Sequence, residues 1–264
     1  KVCPECQSRF SGGESFCPND GTKLVDAREL SPGELTGLTL DDTVELQELE
    51  VSDGLGERYV GTLVDSGETV RVTAFAESFD FEGERGEELS RASGQLSGSI
   101  PAETLALHSH NLEAQRPYII EEMPAGESLR SVLDERGACD WKSSVRLAAR
   151  LARVLEYMGE RGVYHRMIHP GCIFVSDIES GDLCVGERIQ GIASYRSNPL
   201  KFAENNPDGF LGYAGYMAPE TIRDGEDIDE RSLVYVTGMV LYELIAGKAP
   251  FTSKKTEDTL KRHL

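Results

Sequence analysis

The sequence lacks the features of a membrane or nucleic-acid protein. No apolar run reaches the roughly 18 residues that a membrane-spanning helix needs, and no basic segment leads into an apolar one at the start of the chain. Basic residues are scarce, because 27 Lys and Arg stand against 46 Asp and Glu, for a net charge of -19. Such a charge repels phosphate backbones and anionic lipid surfaces. We therefore expect no nucleic-acid partner and no membrane insertion within this segment.

Cysteine is sparse beyond the first 20 residues. Cys139, Cys172 and Cys184 stand singly among apolar neighbours, which is not the spacing of a disulfide framework. Isolated cysteines of this kind are typical of unpaired, apolar side chains in a reducing compartment. The sequence therefore predicts a cytoplasmic location.

The opening segment concentrates the remaining cysteines at a spacing typical of zinc ligands. Cys3 and Cys6 form one pair, and Cys17 and Asp20 form a second pair with the same two-residue gap. Two such gaps present four ligands for a tetrahedral zinc ion. The segment resembles the zinc ribbons at the start of bacterial signalling proteins, which implies a ribbon over residues 1–26 with a structural or protein-docking role. A disordered tail with accidental cysteines is the alternative.

The rest of the chain changes from strand-like to helix-like patterns. Residues 27–37 have the Pro and Gly content of a linker. From 38 to about 81, short β-type runs alternate with Gly-containing turns, which predicts a small antiparallel sheet, and 118–120 resumes the strand pattern. Apolar residues at helical spacing over 145–155 and 233–246 predict two helices. The fold class expected is α+β.

Residues 163–175 read Val-Tyr-His-Arg-Met-Ile-His-Pro-Gly-Cys-Ile-Phe-Val. This order resembles the catalytic loop of protein kinases, His-Arg-Asp-Leu-Lys-Pro-x-Asn followed by an apolar strand. In that family the aspartate is the catalytic base, the lysine faces the phosphates and the asparagine binds magnesium. Here Met167, His169 and Cys172 stand at those three positions.

Further segments occur in the family's order. Residues 117–123 resemble the hinge strand, 215–220 contain the Ala-Pro-Glu motif that closes the activation segment, and 240–251 resemble the central helix of the large lobe. The resemblance covers about 38–264. The family's last helices would lie beyond Leu264, so we expect a domain truncated at its C-terminus.

The resemblance implies a two-lobed protein-kinase-like fold over residues 38–264. The β-rich N-lobe would span about 38–123, and the helical C-lobe would span about 124–264.

The same resemblance implies a changed nucleotide cleft. Thr73 stands where the family has the phosphate-binding lysine of its third strand, and Gly56 keeps one of the three expected glycines of the Gly-rich loop. The magnesium-binding aspartate falls at Glu187 by strand phase. An alignment shifted by one residue places Gly186 there.

The positions that face adenine in the family carry charges here. Arg71 stands where a small residue covers the adenine, and Glu121 occupies the gatekeeper position. One hypothesis is that Arg71 reaches Glu121 or Glu122 and fills the adenine space. The alternative is that these side chains point to solvent.

Because these positions differ from the family pattern, the resemblance implies a pseudokinase rather than an enzyme. On this interpretation, ATP and magnesium do not bind, and the chain serves as a protein-binding scaffold or allosteric regulator in signalling. The alternative is a divergent serine/threonine protein kinase, or another ATP-dependent transferase, with residual activity.

Overall fold

The computed structural model describes residues 15–16, 23, 33, 35–53, 56–75, 104–114, 116–186, 200, 214–224 and 228–264. These residues fall into two compact units. One unit contains the described residues up to 75 together with Leu107–Met123, and the other contains residues 104–106 and the described part of Pro124–Leu264. The first is rich in strands and the second in helices, as expected of an α+β chain.

The first unit contains a six-stranded antiparallel sheet of spatial order β1-β2-β3-β4-β6-β5. Its strands are β1 (Thr39–Leu40), β2 (Val44–Asp53), β3 (Gly56–Leu63), β4 (Thr69–Phe75), β5 (Leu107–Asn111) and β6 (Tyr118–Glu122).

One face of this sheet forms the apolar core of the first unit. Tyr59, Val72 and Ile120 lie on neighbouring strands, and each has no exposed surface. They belong to one face because directly opposed residues share a face and side chains alternate along a strand. The alternate residues of β4 and β6 therefore lie on the opposite face, which carries the candidate site.

The second unit contains five helices and a three-stranded sheet among its described residues. The strands, in spatial order, are β7 (Glu127–Ser128), β8 (Ile173–Asp177) and β9 (Asp182–Val185). The helices are α1 (Leu129–Arg136), α2 (Trp141–Gly159), α3 (Pro219–Asp224), α4 (Glu230–Ala246) and α5 (Thr256–His263).

Helices α2 and α4 pack against each other and have clear end signals. Asp140 caps α2 by accepting from the backbone N–H of Lys142 and Ser143, and Asp229 caps α4 in the same way through Arg231. Helix α4 ends at Gly247, whose φ of 70° is left-handed and whose N–H donates to the Glu243 carbonyl. Part of each predicted stripe is buried, including Leu151 and Leu155 of α2 and Val240 and Leu244 of α4, while Val145 of α2 is exposed.

Among the described residues, no helix combines the length and the apolar composition that crossing a bilayer requires. Cys139, Cys172 and Cys184 form no disulfide with one another or with any other described residue.

The last helix carries a buried histidine. His263 Nδ1 lies 2.7 Å from the Tyr235 hydroxyl oxygen, and the Phe251 ring meets the imidazole edge-on with centroids 4.9 Å apart. Burial removes water from the imidazolium and lowers the pKa of His263 from 6.5 to about 4. The folded chain therefore keeps this imidazole neutral where the unfolded chain would protonate it.

We expect the free energy of unfolding to fall as the pH drops from 6.5 towards 4, because the unfolded state binds a proton that the folded state binds only near pH 4. The loss should reach up to about 3 kcal/mol. Urea unfolding across this pH range should show a shallower loss for His263→Gln, which cannot titrate, than for the wild type. An identical loss in both proteins would contradict this assignment.

Candidate active site

Four positions expected in the cleft lie on one face of the sheet of the first unit. Arg71 and Thr73 are two residues apart on β4, and Arg71 pairs directly with Glu121 on β6. Gly56 begins β3 and pairs with Phe75, which is two residues beyond Thr73. Because paired residues share a face and alternate residues return to it, all four positions belong to the face opposite the apolar core.

The backbone at Gly56 requires glycine. Its φ is 140°, a conformation that residues with a Cβ atom rarely adopt. Gly54 and Leu55, which complete the expected Gly-rich loop, lie outside the described residues.

Arg71 is held within the sheet by an acidic side chain. Its Nε donates to Glu50 Oε2 at 3.0 Å, and the Arg71 side chain is only 6% exposed. Glu121, directly opposite on β6, is also buried. The structure therefore does not place the Arg71 guanidinium in solvent, and it identifies Glu50 on β2 as a hydrogen-bonding partner.

Sequence reasoning missed Glu50 because its position depends on a β-bulge. The pairing of β2 with β3 shifts register between Leu49 and Val51, with Glu50 between them. A bulge inserts an extra residue and re-aims the side chains near it. Strand alternation alone does not reveal such a change.

The catalytic-loop segment lies in the second unit and is anchored through His165. The backbone N–H of Met167 donates to His165 Nδ1 at 3.2 Å, so the proton of the neutral ring lies on Nε2. That atom is 3.0 Å from the carbonyl oxygen of Gly186, which follows β9. His165 thus joins the loop to the end of the neighbouring strand, and the Met167 side chain is buried.

His169 and Cys172 hold the short 3-10 helix Pro170–Cys172 in place. His169 Nδ1 accepts from the backbone N–H of Gly171 at 3.0 Å. The Cys172 thiol donates to the His169 carbonyl at 3.1 Å and accepts from the His169 N–H at 3.4 Å. The structure therefore brings Met167, His169 and Cys172 together in one loop. The side chains of His169 and Cys172 form hydrogen bonds that hold the backbone of this loop.

Two positions compared with the family's magnesium ligands lie at the ends of neighbouring strands, Cys172 just before β8 and Gly186 just after β9. The Gly186 N–H donates to the Cys172 carbonyl at 2.8 Å, so these residues meet across the ladder of β8 and β9. Magnesium prefers oxygen ligands, and neither side chain provides one. Glu187, which strand phase assigns to the aspartate position, lies outside the described residues.

The Ala-Pro-Glu segment is tied to α4 by buried polar contacts that sequence reasoning did not find. Glu243 on α4 accepts from Arg130 Nη2 at 2.5 Å and from the Tyr216 hydroxyl. Burial and the hydrogen bond to Glu243 raise the pKa of Tyr216. The Ser232 hydroxyl donates to Glu220 Oε1 at 2.5 Å. These bonds fix the described end of the activation segment on the central helix.

The expected zinc ligands, Cys3, Cys6, Cys17 and Asp20, lie outside the described residues. In the part of the chain that is described, no three His, Cys, Asp or Glu side chains form a group that could hold a metal ion. An isolated antiparallel bridge pairs Phe16 with Lys23.

Comparison with known proteins identifies similar sequences in one family. The model of the family described as "Protein kinase domain" matches residues 103–264. The probable serine/threonine-protein kinase PknB of Bifidobacterium longum is 29% identical over 160 residues, covering 59% of this chain and 22% of that protein. The serine/threonine-protein kinases PknL and PknB of Mycobacterium tuberculosis are 31% and 28% identical over 152 and 148 residues. Each alignment covers 56% of this chain, with 35% of PknL and 23% of PknB.

The chain therefore spans about a third or less of the length of these relatives. The family match begins at residue 103, so strands β1 to β4 lie outside the matched segment.

The prediction that this chain is not an enzyme is wrong. The protein kinase domain match and the similarity to proteins named serine/threonine-protein kinases point to an enzyme. The prediction compared Thr73, Met167 and Cys172 with the family one position at a time. The electrostatic properties of a site depend on every group that shares its face, and Arg58 lies directly opposite Thr73 in the sheet.

Proposed function

Because the chain belongs to the protein kinase domain family, we propose that it transfers a phosphoryl group from ATP to protein hydroxyl groups. It would be a divergent serine/threonine protein kinase or a related ATP-dependent transferase. The family match over residues 103–264, which includes the anchored loop around His165, carries this proposal. Binding of ATP and magnesium distinguishes this activity from the expectation that neither of them binds.

The chemistry of phosphoryl transfer makes slow activity compatible with the residues present. The transition state is loose, so catalysis depends mainly on positioning and electrostatics. A general base contributes roughly 100- to 10,000-fold in rate. Met167 offers no proton acceptor at the position of that base. We therefore expect residual activity from a loop whose backbone His165 and Cys172 hold in place.

Titration of the purified protein with ATP, with and without magnesium, should raise its melting temperature in a saturable manner. At an ATP concentration about 100 times the dissociation constant, the stabilisation is about 2.7 kcal/mol. Incubation with γ-labelled ATP and casein should then place label on serine or threonine. Glu187→Ala should lower the incorporation, because Glu187 is the carboxylate nearest in sequence to the expected magnesium position.

Glu179→Ala provides the matched control for this experiment, since Glu179 is an exposed carboxylate in the turn between β8 and β9. A folded wild-type protein that gains no stability from ATP and incorporates no label would refute the proposed activity.

A second role, the binding of signalling proteins as a scaffold or regulator, is favoured by a groove in the second unit. The groove has a volume of about 500 Å³ and lies between α2 and α4. Val234 in its lining is 73% exposed, and the charged lining residues are three acidic ones and the basic Arg153, the acidic ones being Glu156, Glu160 and Glu230. An apolar groove with an acidic rim suits an amphipathic segment with basic residues. We propose such a segment of another protein as the partner.

Fluorescence anisotropy with a labelled amphipathic Lys/Leu peptide should detect binding to this groove. Val234→Glu should weaken the binding about tenfold or more, because it places a charge on the apolar surface. Val145→Glu is the control, since Val145 is exposed on α2 and does not line the groove. Equal weakening by both substitutions would indicate non-specific adsorption and exclude the groove.

We further propose that residues 1–26 form a zinc ribbon, 27–37 a linker and 38–264 the kinase-like domain, with lobes over about 38–123 and 124–264. The ribbon proposal rests on the ligand spacing of Cys3, Cys6, Cys17 and Asp20. A closed site with four ligands leaves no position for chemistry, so its role would be structural or docking. A cytoplasmic location is part of the same proposal, because singly placed cysteines among apolar neighbours are typical of a reducing compartment.

Elemental analysis of the purified protein should find one equivalent of zinc. Cys3→Ser should lose it, because removing a thiolate ligand from a four-ligand site weakens metal binding. Cys139→Ser should keep the metal, because Cys139 is a free cysteine outside the proposed ribbon. Zinc retained at the full ratio in Cys3→Ser would exclude this ligand set.

A further inference from the structure

The last helix, α5, packs against the described end of the activation segment. Leu260 of α5 is buried in an apolar cluster with Met217 and Ile222, and Ala214 packs against this cluster. His263 follows Leu260 by three residues, a spacing that places two side chains on the same side of a helix. The imidazole of His263 therefore lies on the side of α5 that faces the segment.

His263 also contacts α4 and the loop that precedes α5. The Tyr235 hydroxyl oxygen on α4 lies 2.7 Å from Nδ1, and the Phe251 ring meets the imidazole edge-on. The Phe251 carbonyl oxygen would lie 3.4 Å from a Cβ atom at Gly215, so the same loop residue also borders the activation segment. Since His263 is only 8% exposed, these neighbours hold the ring in a closely packed site.

A further neighbour of the imidazole is the backbone of Ala214. Burial lowers the pKa of His263, whereas the Ala214 backbone raises it, as a carbonyl group beside the ring does. Nε2 forms no regular hydrogen bond with any described residue, so this contact is a longer electrostatic one. His263 thus adds a polar contact to the apolar packing between α5 and the segment.

The segment in turn contacts the catalytic loop. The 3-10 helix Ala214–Tyr216 ends with Tyr216, whose ring centroid lies 6.4 Å from that of His169, with the ring planes tilted by 48°. The Tyr216 hydroxyl donates to Glu243, and His169 Nδ1 accepts from the Gly171 N–H. A displacement of the segment would therefore move the ring that lies beside His169 in the loop.

We propose that His263 is a positioning residue for phosphoryl transfer, which acts from α5 through residues 214–216 on the catalytic loop. The inference rests on the proposed function. Apolar packing at Leu260 is non-directional, whereas an imidazole held by Tyr235 favours one position of the Ala214 backbone. Phosphoryl transfer depends mainly on positioning, and a misplacement of about 1 Å can cost about 100-fold in rate.

The test compares the steady-state kinetics of the wild type, His263→Leu and His263→Gln with ATP and casein. Leucine has no polar group, so kcat should fall about tenfold. KM for ATP should stay unchanged, because the contacts given for His263 all lie in the second unit. Glutamine can still form a hydrogen bond with Tyr235 and should restore most of the wild-type kcat.

Hydrogen exchange of the backbone amides of residues 214–218 gives a second readout that needs no activity. Exchange should be faster in His263→Leu than in the wild type, because the segment loses its polar contact with α5. In His263→Gln the exchange should stay close to that of the wild type.

Val154→Ala is the matched control, because Val154 is buried on α2, which packs mainly against α4 and β9. It should lower the melting temperature of the protein without lowering kcat. If His263→Leu does not fold, Tyr235→Phe replaces it. Losing the hydroxyl that orients the imidazole should lower kcat by a smaller factor.

Wild-type kcat and exchange in the folded His263→Leu variant would overturn the inference. So would an equal loss of kcat in Val154→Ala, which would indicate an effect of stability alone, or a raised KM for ATP with kcat unchanged. An inactive wild type in which exchange at residues 214–218 still depends on His263 supports the contact between α5 and the segment and refutes the proposed function.

Discussion

The register of the antiparallel ladder through β3, β4 and β6 determines the character of the candidate site. It pairs Arg71 with Glu121 and Arg58 with Thr73, while it sends Val72 and Ile120 to the opposite face. A shift of one residue would exchange the two faces and move the charges into the apolar core. Because the apolar side chains must be buried on one face of the sheet, the alternating charged side chains lie on the other face.

The catalytic loop in the second unit is not shaped by strand register. Its shape depends on hydrogen bonds to backbone groups. At position 167, the N–H donates to His165 and the carbonyl accepts from the Cys172 thiol. Neither bond uses the Met167 side chain. A change of side chain at this position can therefore alter the chemistry of the loop while these two bonds remain possible. In this chain, the hydrogen bonds that shape the loop therefore do not depend on the side chain at the position of the family's catalytic base.

Local patterns predicted the helices and strands well where the signals were periodic. Helix α4 ends at Ala246, where the predicted helical segment 233–246 ends, and β6 includes the predicted strand segment 118–120. The glycine-containing turn between β3 and β4 fixes their register, so the pairing of Arg58 with Thr73 could have been counted from the hairpin.

The contacts that local patterns could not predict join distant parts of the chain. Glu243 and Arg130 are 113 residues apart, and their ion pair depends on how α1 and α4 pack. Glu50 reaches Arg71 only because a bulge interrupts β2. Neither contact can be predicted from sequence spacing. The Arg130–Glu243 ion pair depends on tertiary packing, and the Glu50–Arg71 contact depends on a local break in strand alternation.

The net charge of -19 argues against extended polyanions more strongly than against a single nucleotide. Binding to nucleic acid requires many phosphate contacts across a broad surface, which an acidic protein repels. A triphosphate is compact, and exposed charges beyond about 8 Å are largely screened at physiological ionic strength. A buried cation such as Arg58 is screened much less, so its immediate surroundings matter more than the total charge. The acidic composition therefore argues against an extended polyanion as a partner, whereas for a compact ligand the local arrangement of charges matters more than their sum.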